Sequence, residues 1–500
     1  MKMERITAPA DERRMMSVAF LAASLFALFC LWLNPVGYVG AGADDERYLA
    51  VARCWVEAGT PCLPDDHWGT RWPVIAPAAA ALALLGDSRA ALGIGASLSW
   101  GLALFGIAAL ATRWFGWRAG VAALLALAAT PVFTTFALTP NPNVTELAFQ
   151  LLALTAVTIA WRDGSARWAF AGGLLAALAM ATRNTSILVL GAGALAWLFL
   201  DPTRRRPLLW AVPGLALGLG AEMLVYALAT GDPFYRYALA LSHTGIPSAE
   251  LPEGFDTSQS PLFNPAYIAA WRREAGVEIW WPIDGWLNLI AGGRLGPLLL
   301  TAALGGLLLR RTLAPEARAT LARAMAATLL VVLLLTWGLA VDPKARMFLG
   351  LAALAALAHG AFVAARGRGR IEPLAIGLLG LHLLLGLGTI LNFPHSRDGE
   401  AAARSWIAAH GDDIEMAESA KSYLTFVPSA RDLPLQGAGR PMLVALTANA
   451  CAEVIYDDPR YGPTASVVAD ARQSATSTAR LCLFRYADDY WTRARGSEGG

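Results

Sequence analysis

SVAFLAASLFALFCLWLNPVG at residues 17–37, followed shortly by Asp44-Asp45-Glu46-Arg47-Tyr48, is the stretch that decides the fold. The first part carries no charge and rises about 30 Å as a helix, the thickness of a bilayer's hydrocarbon core. A lone chain in lipid must satisfy its own backbone, and a helix does so. Lys2, Arg5, Arg13 and Arg14 precede it, and Ala41-Gly42-Ala43 after it resembles a signal-peptide cleavage site. The apolar run is longer than a signal peptide's usual h-region of roughly 7–15 residues, so an uncleaved helix is expected. Three carboxylates then arrive where the chain leaves the membrane.

Outward from that stretch the same pattern repeats. Hydrophobic residues make up 56% of the 500 and charged residues 16%, with a mean hydropathy of +0.47; a soluble domain would carry about 25% charged residues. Eleven spans are expected, near 17–37, 90–112, 119–138, 146–161, 168–182, 185–200, 207–228, 286–309, 324–341, 347–365 and 372–391. Pro73–Leu85 is apolar but short and reads as a partly embedded or interfacial segment. No internal repeat is visible. The fold class is therefore an all-α polytopic membrane domain over 1–391, with outer loops at 38–89 and 229–285, and a small α/β soluble domain at 392–500. Within that last part Asp398–His410 is helix-like, and Pro441–Thr447 and Leu481–Arg485 are strand-like.

Orientation follows from the basic residues of short loops. With the N-terminus inside, the inner connectors hold Arg113/Arg118, Arg162/Arg167, Arg204/Arg205/Arg206, Arg310/Arg311/Arg318/Arg323 and Arg366/Arg368/Arg370. An odd span count then puts the C-terminal domain outside. Richness in Ala, Leu, Gly and Arg is that of a GC-rich bacterial genome, so the setting is a bacterial inner membrane with a periplasmic outer side. On that oxidising side lie Cys54 and Cys62, and Cys451 and Cys482, which read as two disulfides; four unpaired small apolar residues is the alternative. Cys30 lies in the first span. No His stands at ligand spacing from either cysteine pair, so no metal site is expected. The net charge of +2, without a basic stripe interleaved with aromatics, gives no nucleic-acid partner.

The candidate chemistry sits on the outer side. Asp44 and Asp45 open the first outer loop, and Glu146 heads the fourth span after Thr139-Pro140-Asn141-Pro142-Asn143. Acidic residues also favour helix starts through the macrodipole, so each carboxylate has a plain structural reading as well. Outer basic residues run against the charge rule: Arg71 before Trp72-Pro73, Arg183 in the turn between spans five and six, and Lys344 and Arg346 between spans nine and ten. Together they would form a cationic rim whose natural ligand is a phosphate at headgroup level.

These residues resemble a known family. Asp44-Asp45-Glu46-Arg47-Tyr48 looks like the opening of the first outer loop in GT-C glycosyltransferases, nearest to the bacterial lipid A aminoarabinose transferases and their protein O-mannosyltransferase relatives. Arg71-Trp72-Pro73-Val74 is similar to that branch's Lys-Pro-Pro-Leu, and Thr145-Glu146-Leu147 with Phe149 to its Thr-Asp-x-Pro-Leu. Ala181-Thr182-Arg183 resembles its Leu-Thr-Lys turn, and Gly231-Asp232-Pro233-Phe234-Tyr235 with His243 a segment of its large outer loop. The resemblance spans roughly 40–370 and departs by Arg for Lys twice, Glu for the second Asp, and Trp72 for a Pro.

The resemblance implies an inverting transfer of a sugar from a polyprenyl-phosphate donor to an envelope acceptor: lipid A or lipopolysaccharide, a polysaccharide, or a protein. Asp44 would be the base, with Asp45 and Glu146 in support. Arg71, Arg183, Lys344 and Arg346 would hold the donor phosphate, and His67, Tyr235 and His243 would line the substrate loops. Membrane lipids are the other partners. No cofactor is required, and a divalent cation between Asp44 and Glu146 is an option that the nearest branch does not imply. Two other classes compete. A transporter needs charges near the midplane, whereas these cluster at span ends; an envelope scaffold leaves the cationic rim unexplained, and a polysaccharide polymerase remains a neighbouring alternative.

Overall fold

The long apolar runs before residue 392 become helices wherever they are described, as lipid requires. The computed structural model describes residues 10–34, 44–63, 66–198, 206–242, 281–338, 344–365 and 371–392, and in the C-terminal part 407, 409, 415–416, 442–446, 461–472 and 478–486. The helices are α1 (Ala10–Leu33), α2 (Asp44–Ala58), α3 (Trp72–Leu85), α4 (Arg89–Phe115), α5 (Trp117–Ala128), α6 (Pro131–Thr134), α7 (Pro142–Asp163) and α8 (Ala166–Thr182). They continue with α9 (Ser186–Leu198), α10 (Ala211–Thr230), α11 (Tyr235–Ser242), α12 (Trp281–Ala291), α13 (Gly296–Leu309), α14 (Pro315–Leu333), α15 (Leu349–Ala364) and α16 (Ile371–Leu391). Their ends follow local chemistry. Ser88 accepts the Ala91 amide (3.2 Å) to start α4, and Asn141 accepts that of Asn143 (2.9 Å) to start α7. Pro142 occupies the first turn of α7, where an N–H has no helical partner.

The protein is a multi-pass membrane protein. Among the described residues seven helices are long and apolar enough to cross a membrane: α1, α4, α7, α10, α14, α15 and α16, with short 3-10 or π turns extending the ends of α10, α14 and α15. The pair α5 and α6, with the 3-10 turn Thr135–Leu138, makes an eighth if read as one span bent by 72°. By length, seven or eight of the eleven expected spans are met among the described residues. The difference falls on α8, α9 and α13, of 17, 13 and 14 residues, which rise only about 20–26 Å. Pro73–Leu85 is likewise a short helix, α3, packed on α2 and α4.

The bend between α5 and α6 has a cause. Pro131 cannot continue α5, and the carbonyls it frees are taken by side chains. Thr130 Oγ1 donates to the Ala126 oxygen (2.8 Å), which also meets His382 Nε2 of α16 (2.8 Å); Thr134 Oγ1 donates to Ala128 (2.6 Å).

Close crossings use glycine. A Cβ on Gly173 of α8 would stand 2.1 Å from the Ala211 oxygen, and one on Gly214 of α10 2.2 Å from the Phe170 oxygen, so the two backbones touch. Helix α10 meets the protein along one stripe. It buries Gly214, Glu222 and Tyr226, with Gly218 set against Ala177 between them, while Leu217, Leu224, Val225 and Leu228 are exposed to the lipid side.

Helices α2 and α3, which follow α1, form a folded unit. Tyr48, Leu49 and Ala52 of α2 pack on Val74, Ile75 and Ala78 of α3. A disulfide joins Cys54 to Cys62 (Cα–Cα 6.0 Å), and Arg53 pairs with Asp87 through two 3.0 Å contacts. The C-terminal part contains a sheet of order β1-β2-β4-β3, made of β1 (Glu415–Met416), β2 (Met442–Leu446), β3 (Tyr461–Arg472) and β4 (Thr478–Tyr486). β1 and β2 are parallel and the other pairs antiparallel. Cys482 lies in β4, and Cys451 lies outside the described residues, as do His243, nearly all of 398–410 and most of 229–285.

Candidate active site

Asp44 starts α2, and its two oxygens are held differently. Oδ1 accepts the Trp68 indole N–H (3.2 Å); Oδ2 lies 3.9 Å from Arg346 Nη2, with the Asp44 side chain 36% exposed. Asp45 is 3% exposed. Of the two, Asp44 is the one a substrate can reach. Trp68 is itself fixed, with the His67 ring tilted against it at 3.8 Å between centroids and Arg47 over its ring at 5.8 Å.

One turn along α2, Tyr48 is fully buried, and its phenol oxygen accepts from Arg71 Nη1. Burial pushes the phenol up to about 12, against the pull of the Arg71 charge and with Asp44 adding to the rise. It stays neutral at physiological pH. The Arg183 charge also lowers its pKa, the smallest of these influences, so Asp44, Arg71 and Arg183 all bear on one side chain.

Arg183 caps α8 and is clamped by α7. Its Nη1 donates to Asn143 Oδ1 (2.6 Å) and Glu146 Oε2 (3.2 Å), and Nη2 approaches Met347 Sδ (3.6 Å). Glu146 Oε1 accepts from Ser186 (2.7 Å), Thr185 (3.0 Å) and Gln150 (3.2 Å). With both oxygens engaged by protein groups, Glu146 anchors Arg183. Among the described residues no three His, Cys, Asp or Glu side chains gather as metal ligands. Arg346 and Met347 come from the 3-10 turn Ala345–Phe348 that leads into α15, and Lys344 immediately precedes it.

A cavity of about 460 Å³ lies between α4, α7, α9, α14 and α15. Asn143, Glu146, Arg183 and Arg346 line one end; Leu147, Leu151, Leu154 and Val331 follow; Trp161, Arg162 and Arg323 close the other. From Asn143 to Arg162 the groove follows α7 for about 28 Å.

Behind Arg71 lies a second ion pair. Arg236 Nη1 of α11 meets Glu222 Oε2 (3.1 Å) and Oε1 (3.3 Å), with the side chains 3% and 4% exposed. Glu222 Oε1 also accepts the Trp72 indole N–H (3.1 Å). Tyr235 sits at this α10–α11 corner, 6.0 Å from Tyr226 between ring centroids. The charge-rule reading of short loops passed over this pair, although Glu222 is the single acidic residue of the apolar run 206–230, a signal for a functional group inside a membrane. Tyr48, Trp68 and Asn143 carried no charge signal.

Residues 73–229 match the family model described as dolichyl-phosphate-mannose-protein mannosyltransferase. The ArnT of Cupriavidus metallidurans, solved bound to undecaprenyl phosphate, superposes with a TM-score of 0.51 at 14% identity, over 94% of this chain and 98% of that one. The chain has the fold of the GT-C glycosyltransferases. The Archaeoglobus fulgidus oligosaccharyltransferase, in complex with Zn and sulfate, shares the GT-C architecture with a TM-score of 0.50 at 15% identity, over 84% of this chain and 59% of that one. No curated protein sequence matches the chain.

Proposed function

We propose that this GT-C protein is an inverting glycosyltransferase. It moves a sugar from a polyprenyl-phosphate donor to an acceptor hydroxyl of the bacterial cell envelope, on the periplasmic face of the inner membrane. The observation that carries the reading is an apolar groove as long as a bilayer core, with arginines at its mouth and an open carboxylate beside them. The groove suits a polyprenyl chain and the arginines its phosphate. The bound undecaprenyl phosphate of the ArnT neighbour supports the same class of lipid.

Asp44 takes the proton from the acceptor hydroxyl as that oxygen attacks the anomeric carbon. The bond to the lipid phosphate breaks in the same step, and Arg71, Arg183 and Arg346 stabilise the charge that grows on the departing phosphate. One displacement inverts the centre. Tyr48 holds Arg71, and Glu146 with Asn143 holds Arg183, so neither arginine has to reorganise. The C-terminal sheet belongs, in this reading, to a separate periplasmic domain over 392–500.

Purified protein in lipid, given radiolabelled polyprenyl-phosphate sugars and an envelope extract, should release polyprenyl phosphate and label an acceptor with inverted stereochemistry. Retained stereochemistry, or no turnover of any lipid-phosphate sugar, would sink the proposal.

A further inference from the structure

Arg71 is held from both sides by one helix. The residue before it, Thr70, offers its carbonyl to the Tyr226 hydroxyl (3.0 Å); the residue after it, Trp72, gives its indole N–H to Glu222 (3.1 Å). Glu222 and Tyr226 are four apart on α10, one above the other on the stripe that begins with Gly214 and Gly218. The glycines bring α10 into backbone contact with α8, which sets the height of the two polar side chains above them. Arg236 then joins the same Glu222 to α8, because its Nη2 donates to the Met180 carbonyl. Met180 lies in the last turn of α8, three residues before Arg183.

We infer that Glu222, Tyr226 and Arg236 are positioning residues that register Arg71 and Arg183 against each other on a single donor phosphate. The inference rests on the reading of those two arginines as the phosphate site and adds what holds them in place. Arg71 reaches the site from the start of α3 and Arg183 from the end of α8, and the described contacts join these ends through the α10–α11 corner. A buried ion pair suits the task, since its geometry is narrow and removing either partner strands a charge. The corner opens the segment at 229–285, so a substrate that moves α11 would shift both arginines together.

The test measures binding of undecaprenyl phosphate, and of the uncharged polyprenol as control, to protein in lipid nanodiscs. Tyr226→Phe removes one polar contact beside Arg71 and keeps its ring; Trp72→Phe removes the other and keeps a smaller aromatic ring, so the polyprenol control reports any loss of packing. Each should weaken undecaprenyl phosphate about fivefold, the effect of one hydrogen bond, and leave the polyprenol unchanged. In an Arg71→Ala background the same substitutions should change binding by less than about twofold, because residues that act through a common partner are not additive. Arg236→Gln should behave likewise against Arg183→Ala. Equal losses for both lipids, or the full fivefold loss persisting in the alanine backgrounds, would overturn the inference. If Arg71→Ala itself bound undecaprenyl phosphate normally, the phosphate assignment would fall, and the inference with it, a result distinct from the additive one.

Discussion

Asp44 and Asp45 are neighbours with opposite surroundings, and that contrast makes the chemistry testable at single residues. Asp44 is open and held by Trp68 and Arg346; Asp45 is buried. Asn keeps the shape of Asp44 and removes its charge. Asp44→Asn should lower turnover at least about 10²-fold, the lower end for general-base assistance, with undecaprenyl phosphate binding nearly intact. Loss of binding with normal turnover would assign Asp44 to the donor instead. Arg71→Ala and Arg183→Ala should each weaken the donor roughly ten- to a hundredfold through loss of a charge-assisted contact. Arg183→Lys should recover less than Arg71→Lys, since Arg183 uses a guanidinium fork on Asn143, Glu146 and Met347; equal recovery in a donor titration would contradict that geometry. The sequence made these arginines legible because a basic residue on an outer turn breaks a rule. It left Glu222 and Arg236 unread because the groups they bind beyond each other, Trp72 and Met180, lie 150 and 56 residues away along the chain.

Among the elements, α2 and α3 form a small packed unit that carries Asp44, Tyr48 and Arg71, and the Cys54–Cys62 bridge closes it. A loop that short contributes about 2–3 kcal/mol in the chain-entropy picture. A Cys54→Ser/Cys62→Ser protein should lose that much, read as a lower thermal midpoint, and unreduced denatured wild-type protein should leave both thiols unlabelled by maleimide. Labelling of either one before reduction would exclude the bridge. The α8–α10 contact should be less forgiving. Gly173→Leu or Gly214→Leu drives a side chain into the opposing backbone, and expression and undecaprenyl phosphate binding should fall together. Periodicity and hydropathy found most of these helices but not their lengths or the 72° break at Pro131. A short helix and a full span share a composition, and what separates them is tertiary.

For the whole molecule, fold class was legible because a bilayer imposes it: long apolar runs have few ways to exist. The span count was less so: among the described residues seven or eight helices have full-span length, and α8 and α13 are shorter. Handedness to the membrane remains an expectation from the basic connectors, and reporter fusions check it. Fusions after Arg206 and Arg370 should read cytoplasmic and fusions after Pro394 periplasmic. A cytoplasmic reading after Pro394 would turn the proposed site to the wrong side. The groove, which no local pattern announces, emerges only when α7 meets α14 and α15.

The stripe on α10 has one more consequence. Apart from that stripe much of the helix is apolar and exposed, yet two of the stripe's side chains contact the residues on either side of an arginine of the proposed site. A helix anchored this way answers to hydrocarbon thickness by tilting, and its tilt moves Thr70 and Trp72 against Arg71. Under the proposed function, short-chain and long-chain lipids should therefore give different donor affinities to one unaltered polypeptide, read as undecaprenyl phosphate binding in bilayers of two thicknesses.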